Sequence, residues 1–312
     1  MKHLITNLIT CMITLLLLFG ASAALAENAQ IGLVLMQYGG NVRAQANSDS
    51  PIVGKAAANM YYGCYGNADG WYLIKLDSST MGYVSEKRGT FFSTVAPGSQ
   101  DGLSLLENPQ HPFAPGDIVH FGTYEQDHDP DTTSEPLEWI ILDHDQEKGQ
   151  LFLITRYAVE RQHYHTSNTS TTWEKSGLRA WLNSTFLETA FSEAERSLII
   201  HSDVPADQNF DFPTTSGGAT TDFVFLLSMS EADTYLSPEM RLCIPTAYVI
   251  VRGGYSDAET SACWWWLRTP GHNRMHTAYV NWEGKISGKG YGVIANKGAV
   301  RPAIRIDLNL LK

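Results

Sequence analysis

Residues 60–84 read MYYGCYGNADGWYLIKLDSSTMGYV and contain three short runs rich in aromatic and other apolar side chains. Turn-forming residues separate these runs: the segment 67–70 (NADG) divides the first two and the segment 77–79 (DSS) the last two. Short apolar runs between such clusters are typical of β-strands. We therefore predict three strands, at 60–65, 71–76 and 81–84.

Two further runs of this kind, at 31–36 and 41–44, precede this stretch, and Gly39-Gly40 separates them. Five short strands then fall within about sixty residues. A sheet this small must curl to hide its edges, so the spacing predicts a small β-barrel.

The same region carries motifs in a recognisable order. They are Asn41-Val42-Arg43, Ser50-Pro51-Ile52-Val53-Gly54, Gly70-Trp71-Tyr72-Leu73-Ile74-Lys75 and Gly82-Tyr83-Val84. In this order the region 27–92 resembles the bacterial SH3-like (SH3b) domain. It departs from the pattern around Ala58-Asn59, where a turn glycine is usual, and at Tyr83, where a Trp is usual.

This resemblance implies attachment to cell-wall peptidoglycan or its peptide stems. It makes Tyr38, Arg43 and Tyr83 candidates for a ligand-binding groove, with Trp71 assigned to the core.

Residues 93–115 contain six Pro and Gly residues and little periodicity, which predicts a linker. From 116 to 312 the pattern becomes mixed. Strands are expected at 117–124 and 137–143 as a hairpin, at 150–156 and at 223–227. Four more are expected, at 264–267, 277–282, 292–295 and 300–307. Apolar residues at helical spacing from Leu178 to Phe191 predict a helical region between these strands. Capping boxes at Ser192 and Ser228 predict helices that run to 200 and to about 236. Strands at both ends with helices between them indicate an α+β domain.

The second domain also resembles a known group, an uncharacterised domain of secreted bacterial proteins. The motifs that carry the resemblance are Cys263-Trp264-Trp265-Trp266-Leu267-Arg268-Thr269-Pro270-Gly271, Ala278-Tyr279-Val280 and Val300-Arg301-Pro302-Ala303. The closing pattern is similar to C-type-lectin-like domains. No activity comes with the resemblance, because a fold by itself does not define a function.

The C-terminal aromatics suggest a second binding surface. Because side chains alternate along a strand, one of the three consecutive Trp residues should face away from the other two. The core is favoured for Trp264 and Trp266. An amphipathic patch for sugar or peptide stacking would then include the following residues: Trp265, Arg268, His272, Arg274, Tyr279, Trp282 and Tyr291. Arg301 is expected in a buried ion pair.

Metal and catalytic patterns are weak. The carboxylate and hydroxyl residues Asp127, Asp129, Asp131, Thr133, Glu135 and Glu138 have EF-hand-like spacing. The sixth position of this pattern is Thr132, where an EF-hand has glycine, and strands are expected on both sides of the segment. A solvated hairpin tip is therefore favoured over a calcium-binding loop. His163 and His165 lack a third zinc ligand at suitable spacing. No metal, cofactor or catalytic constellation is therefore predicted.

Three cysteines follow residue 26. Cys243 and Cys263 would close a short loop if oxidised, with two buried free thiols as the alternative. Cys64 is expected as a buried small hydrophobe.

The first 26 residues indicate export. Lys2, the apolar run 15–19 and the small-x-small site Ala24-Leu25-Ala26 together predict a cleavable signal peptide ending at 26, and hence a secreted or wall-associated protein without membrane insertion after cleavage. A net charge of −11 disfavours nucleic acid and anionic lipid as partners.

The sequence as a whole favours a secreted, cell-wall-associated binding protein. The SH3-like domain would hold peptidoglycan or another glycan or peptide, and the α+β domain would present a surface to a ligand or to another surface protein. The alternative is an extracellular enzyme, a wall hydrolase or an oxidase of the formylglycine-generating type, whose site is assembled from loops.

Overall fold

The computed structural model describes residues 30–94, 102–108, 111–129, 131–132 and 134–311. The predicted signal peptide lies outside these residues, as do parts of the predicted linker. The chain divides into two compact units, one ending at Phe91 and one beginning at Phe92. In the described residues no helix is both long enough and apolar enough to cross a bilayer.

The N-terminal unit is made of β-strands, as predicted. Its strands are β1 Gly32–Met36, β2 Gly40–Arg43, β3 Ile52–Ala56, β4 Met60–Ala68, β5 Trp71–Asp77, β6 Thr80–Ser85 and β7 Gly89–Ser93. Five of these were expected from the sequence, whereas β3 and β7 were not. A 3-10 turn, Glu86–Arg88, joins β6 to β7.

These strands form one sheet in the order β3-β2-β6-β5-β4-β1-β7. The two added strands lie at its ends, and no pairing between β3 and β7 closes it among the described residues. The unit is therefore β-rich, as predicted, but its described strands do not form the closed barrel that the spacing predicted. Buried side chains from six strands form the core: Val34, Met36, Val42, Ala56, Cys64, Ile74 and Val84.

The C-terminal unit contains three more sheets. Its strands are β8 Leu103–Ser104, β9 Ile118–Tyr124, β10 Glu135–Asp145, β11 Gln150–Thr155, β12 Glu160–Arg161, β13 Ser202–Val204, β14 Thr220–Asp222, β15 Val224–Phe225, β16 Trp265–Pro270, β17 His276–Val280, β18 Ile286–Gly292, β19 Ala299–Val300 and β20 Ala303–Asp307. A six-stranded sheet has the order β15-β20-β11-β10-β9-β8, and a five-stranded sheet the order β12-β19-β16-β17-β18. Strands β13 and β14 pair separately.

The helices of this unit are short. They are α1 Gly177–Trp181, α2 Leu187–Ala190, α3 Glu193–Arg196, α4 Met229–Tyr235, α5 Pro238–Arg241 and α6 Ala247–Val251, with a π-helical turn, Leu182–Phe186, between α1 and α2. Both predicted capping boxes are present, at Ser192 and Ser228. The unit is thus mostly sheet, with short helices between the strands.

Several sequence expectations for this unit differ from the structure, among them one helix end and the linker. The helix predicted from 192 to 200 ends at Arg196, because the following backbone bonds to β20: Ile200 N–H donates to Arg305 O at 2.8 Å. Part of the predicted linker also belongs to this unit. Strand β8 pairs with β9, and Leu105 and Phe113 are buried in the core.

Gly122 in β9 shows how closely the sheet and helices pack. Its φ is +73°, and a Cβ at this position would lie 2.6 Å from the Ala190 carbonyl oxygen and against the Phe191 ring. Gly116 has a similar φ of +95° but open space around the Cβ position. Substitutions at the two glycines therefore distinguish the cost of backbone strain, which both positions share, from the cost of overpacking, which arises only at Gly122.

We expect Gly122→Ala to lower the free energy of unfolding by more than Gly116→Ala. A left-handed φ costs about 1–2 kcal/mol for a residue with a Cβ, and overpacking adds about 1–3 kcal/mol only at Gly122. Chemical denaturation of the two variants measures the difference. Equal losses would contradict the packing of α2 on β9.

Candidate functional site

A groove of about 620 Å³ lies on the surface of the N-terminal unit. Its principal polar and aromatic lining residues are Asn41, Arg43, Asp69, Trp71, Lys87 and Arg88. Three of these side chains carry positive charge and one carries negative charge, although the whole chain has a net charge of −11. The groove therefore favours an anionic ligand.

Local structure fixes the walls of this groove. Asp69 (φ +51°) and Gly70 (φ +84°) form a two-residue turn between β4 and β5, a conformation that Asp-Gly readily adopts. This turn brings Trp71 to the start of β5, and Gly70 O accepts from Glu86 N–H at 3.0 Å. That bond holds the 3-10 turn carrying Lys87 and Arg88 beside the β4–β5 turn.

Two arginines keep donors available at the groove. Arg43 Nη1 donates to Ser50 O at 2.6 Å, and Arg88 Nη1 donates to Gly39 O at 3.2 Å. A guanidinium has five N–H donors, so most donors of each side chain stay free of these bonds. The carbonyls orient the side chains, and the remaining donors can reach a carboxylate or phosphate.

Of the three groove residues predicted from sequence, only Arg43 lines the groove. Tyr83 is paired with Arg43 across β2 and β6, and Tyr38 is 63% exposed outside the lining. Trp71, assigned to the core, is only half-buried and lines the groove. Sequence reasoning missed Lys87 and Arg88, whose only signal was a short basic pair after β6.

In the C-terminal unit, aromatic side chains form a partly exposed stack. Tyr291 is 50% exposed and stacks on Trp264 with ring centroids 5.0 Å apart. Tyr279 meets both rings edge-on, at 5.6 Å from Trp264 and 5.8 Å from Tyr291. The structure therefore brings together Tyr279 and Tyr291, two of the predicted surface residues.

Three other predicted residues lie outside this stack. Trp282 is 36% exposed and contacts Tyr255, with ring centroids 5.3 Å apart. His272 packs against His276 at 4.2 Å, and Arg274 Nε donates to Thr215 O at 3.2 Å. Burial lowers the pKa of His276, and the charges of His272 and Lys289 lower it further.

Trp265 and Arg268 do not belong to a surface, which corrects the prediction for both. Strand β16 is buried on both faces, so alternation along it exposes neither side chain. Trp265 Nε1 donates to Arg241 O at 3.0 Å. Arg268, 2% exposed, forms ion pairs with Asp207 at 3.2 Å and with Glu231.

Cys243 and Cys263 are buried free thiols that face each other across an antiparallel bridge. Cys263 N–H donates to Cys243 O at 2.8 Å. Of the two alternatives that the sequence left open, the structure has the two buried free thiols. Burial and the neighbouring Cys243 raise the pKa of Cys263, whereas for Cys243 burial is outweighed by the hydrogen bond from Cys263 and the charge of Arg301, which lower its pKa.

The two histidines considered for zinc bond to the backbone instead. His163 Nδ1 lies 2.7 Å from Ile294 O, and His165 Nδ1 accepts from Gly177 N–H at 3.2 Å. Within the described residues, one group of three side chains can offer ligand atoms to a metal: Glu125, Asp127 and Glu135, whose oxygens lie within 4.8 Å of one another.

This acidic group differs from the EF-hand-like spacing seen in the sequence. Glu138, the twelfth position of that pattern, is 2% exposed and pairs with Arg156 at 2.8 Å. Strands β9 and β10 flank the loop as an antiparallel hairpin, as the sequence favoured. Thr133 lies outside the described residues.

A family model described as a domain of unknown function, DUF6273, matches residues 148–308. The chain belongs to this family. No curated protein matches it.

The DUF6273 match confirms the expectation of an uncharacterised domain in the C-terminal part of the chain. It includes β16 and the aromatic stack, together with both buried arginines, Arg268 and Arg301. The match begins after β10, so the hairpin β9–β10 and the groove of the N-terminal unit lie outside it.

Within the DUF6273 region, we expect Arg268→Met to lower stability strongly and Arg274→Met to have little effect. Removing Arg268 leaves the partly buried carboxylates of Asp207 and Glu231 without their partner, a change that costs about 3–5 kcal/mol. Arg274 is exposed, where substitutions usually change stability by about 0.5 kcal/mol or less. Thermal unfolding of both variants tests this, and similar melting temperatures would contradict a structural role for Arg268.

Proposed function

We propose that this chain is a secreted binding protein of the cell wall and that its N-terminal unit is an SH3-like domain holding an anionic wall component. The observation that carries the proposal is the groove, in which Arg43, Lys87 and Arg88 lie beside the half-buried indole of Trp71. The ligand class is a peptide or glycan that bears carboxylates, such as a peptidoglycan stem peptide.

The chemistry of the groove supports this ligand class. Arginine donors bind carboxylates through charge-assisted hydrogen bonds, and a Trp ring offers an apolar face to a sugar or a peptide backbone. The acidic charge of the rest of the chain disfavours nucleic acid as the anionic ligand. A wall peptide matches both features of the groove.

The positions of the motifs support the SH3-like assignment. Asn41-Val42-Arg43 lies in β2, the run from Trp71 to Lys75 in β5, and Gly82-Tyr83-Val84 in β6. The three strands are neighbours in the sheet order, so the motif residues lie together on one sheet.

In the DUF6273 region, the proposal assigns Tyr279 and Tyr291 to a second contact surface, of the kind seen in C-type-lectin-like domains. The extracellular-enzyme alternative needs Cys263 or the histidines His163 and His165 beside a carboxylate in a deep pocket. Cys263 faces Cys243 in the core, and both histidines bond to backbone groups. These contacts favour binding over catalysis.

We expect Lys87→Glu to weaken retention of the full chain on purified peptidoglycan by about 10-fold or more. The substitution removes one charge-assisted contact, worth about 1.5–3 kcal/mol, and adds repulsion toward carboxylates. Lys297→Glu is the matched control, because Lys297 is also exposed but lies in the C-terminal unit. Co-sedimentation over a range of protein concentrations gives both affinities.

Raising the salt concentration should weaken binding of the unmodified chain, since exposed charges are screened. Absence of retention, or equal loss in both variants, would show that the groove does not hold wall material.

A further inference from the structure

The hairpin loop between β9 and β10 gathers three carboxylates. Tyr124 and Glu135 are paired in the ladder, so Glu125 and Glu135 stand next to each other where the strands separate. Asp127 follows two residues later. Each of the three residues offers an oxygen within 4.8 Å of the other two. Glu125 and Asp127 are half-buried, and Glu135 is 8% exposed.

One buried oxygen of this cluster has no partner. Glu135 Oε2 accepts from Gln126 N–H at 2.7 Å, whereas Oε1 has no hydrogen bond among the described residues and no exposure to solvent. Leaving such a group unsatisfied costs about 1–3 kcal/mol, and more when it is charged. In the described part of the chain, neither Glu125 nor Glu135 forms an ion pair with Lys or Arg. Among the described residues, the charges of Glu125 and Glu135 are therefore not balanced by a basic side chain.

The pKa values of Glu135 and Glu125 are both raised, in agreement with this crowding of carboxylates. Burial raises the pKa of Glu135 to about 7, and the charges of Asp127 and Glu125 add to the rise. Burial also raises the pKa of Glu125, although the His128 N–H opposes it. Carboxylates crowded together in a partly buried site behave in this way.

The loop backbone is held in place by Gln126. Its side chain, 1% exposed, donates to the carbonyls of Glu135 at 3.2 Å and Pro136 at 3.1 Å, and its carbonyl accepts from Tyr248 N–H at 3.0 Å. Asp127 Oδ1 accepts from Asp129 N–H at 2.7 Å. The carboxylates are thus positioned before any ligand arrives.

We propose that Glu125, Asp127 and Glu135 bind a Ca²⁺ ion. The donor set consists of oxygen atoms, which Ca²⁺ and Mg²⁺ prefer and Zn²⁺ does not favour. Ca²⁺ binds oxygens at about 2.3–2.6 Å, so a single ion can bridge oxygens up to about 5 Å apart. The half-buried side of the cluster leaves room for the waters that complete a coordination of six to eight, whereas Mg²⁺ demands a stricter octahedron.

The test compares three purified chains after removal of metal with a chelator: the unmodified chain, Glu135→Gln and Glu147→Gln. Glu147 is an exposed acidic residue at the turn after β10, so its substitution removes the same charge away from the cluster. Isothermal titration with CaCl₂ gives the affinity, for which extracellular calcium modules suggest a Kd of about 10⁻⁴–10⁻³ M. Thermal unfolding with and without Ca²⁺ gives an independent readout.

We expect Ca²⁺ at ten times its Kd to raise the melting temperature of the unmodified chain and of Glu147→Gln by about 3–6 °C. Glu135→Gln should lose this shift and bind Ca²⁺ at least about 10-fold more weakly. In chelator, Glu135→Gln should melt no lower than the unmodified chain, because the amide removes a buried charge.

Absence of binding by the unmodified chain, or a full Ca²⁺ response in Glu135→Gln, would overturn the site. Equal affinity for Mg²⁺ would overturn the assignment to Ca²⁺. If Glu135→Gln does not fold, Asp127→Asn takes its place, since its amide oxygen can still accept the Asp129 N–H. The same loss of the Ca²⁺ response is expected, and a retained response would again overturn the site.

Discussion

Arg301 joins the two larger sheets of the C-terminal unit. It lies between β19, in the five-stranded sheet, and β20, in the six-stranded sheet, and is 1% exposed. Its guanidinium donates to Thr155 O at 2.8 Å, Arg156 O at 3.4 Å and Met240 O at 2.9 Å. It also lies 5.2 Å from the centroid of the Trp265 ring. Because the nitrogens of a buried guanidinium need acceptors, these three carbonyls fix the end of β11 and of α5 relative to β16.

The same principle explains why the C-terminal motifs looked like a binding surface in the sequence. Aromatic residues beside arginines are typical of amphipathic surface patches. In this unit the same residue types lie together in the core, where they help to accommodate the buried charge of the arginines. Arg301 was expected in an ion pair, whereas its partners are backbone carbonyls. The sequence alone could not show this, because every residue supplies a carbonyl and only the fold selects which one is near. Arg268 uses carboxylates and carbonyls together for the same purpose.

Sequence signals predicted those elements whose ends are set by neighbouring residues. Turn residues marked the strands of the N-terminal unit, and both capping boxes marked the starts of helices α3 and α4. Elements set by pairing with distant strands were missed or misplaced. Strand β18, for example, runs from Ile286 to Gly292 through three glycines and is defined by its ladder with β17, whereas the apolar run 292–295 was predicted instead. The acidic loop between β9 and β10 is similar. Its carboxylates were visible in the sequence, but Glu138 forms an ion pair with Arg156 and so does not join the acidic cluster.

Unused hydrogen-bonding capacity distinguishes structural polar groups from those suited to binding. In the core, the donors of Arg268 and Arg301 are directed to carbonyls and carboxylates, so neither can serve a ligand. In the groove, Arg43 and Arg88 each direct one nitrogen to a carbonyl, and their other nitrogens have no partner within the described part of the chain. In the hairpin loop, one buried oxygen of Glu135 has no partner among the same described residues. Since folding tends to satisfy buried polar groups, those left unsatisfied or only partly engaged indicate where a ligand completes the structure.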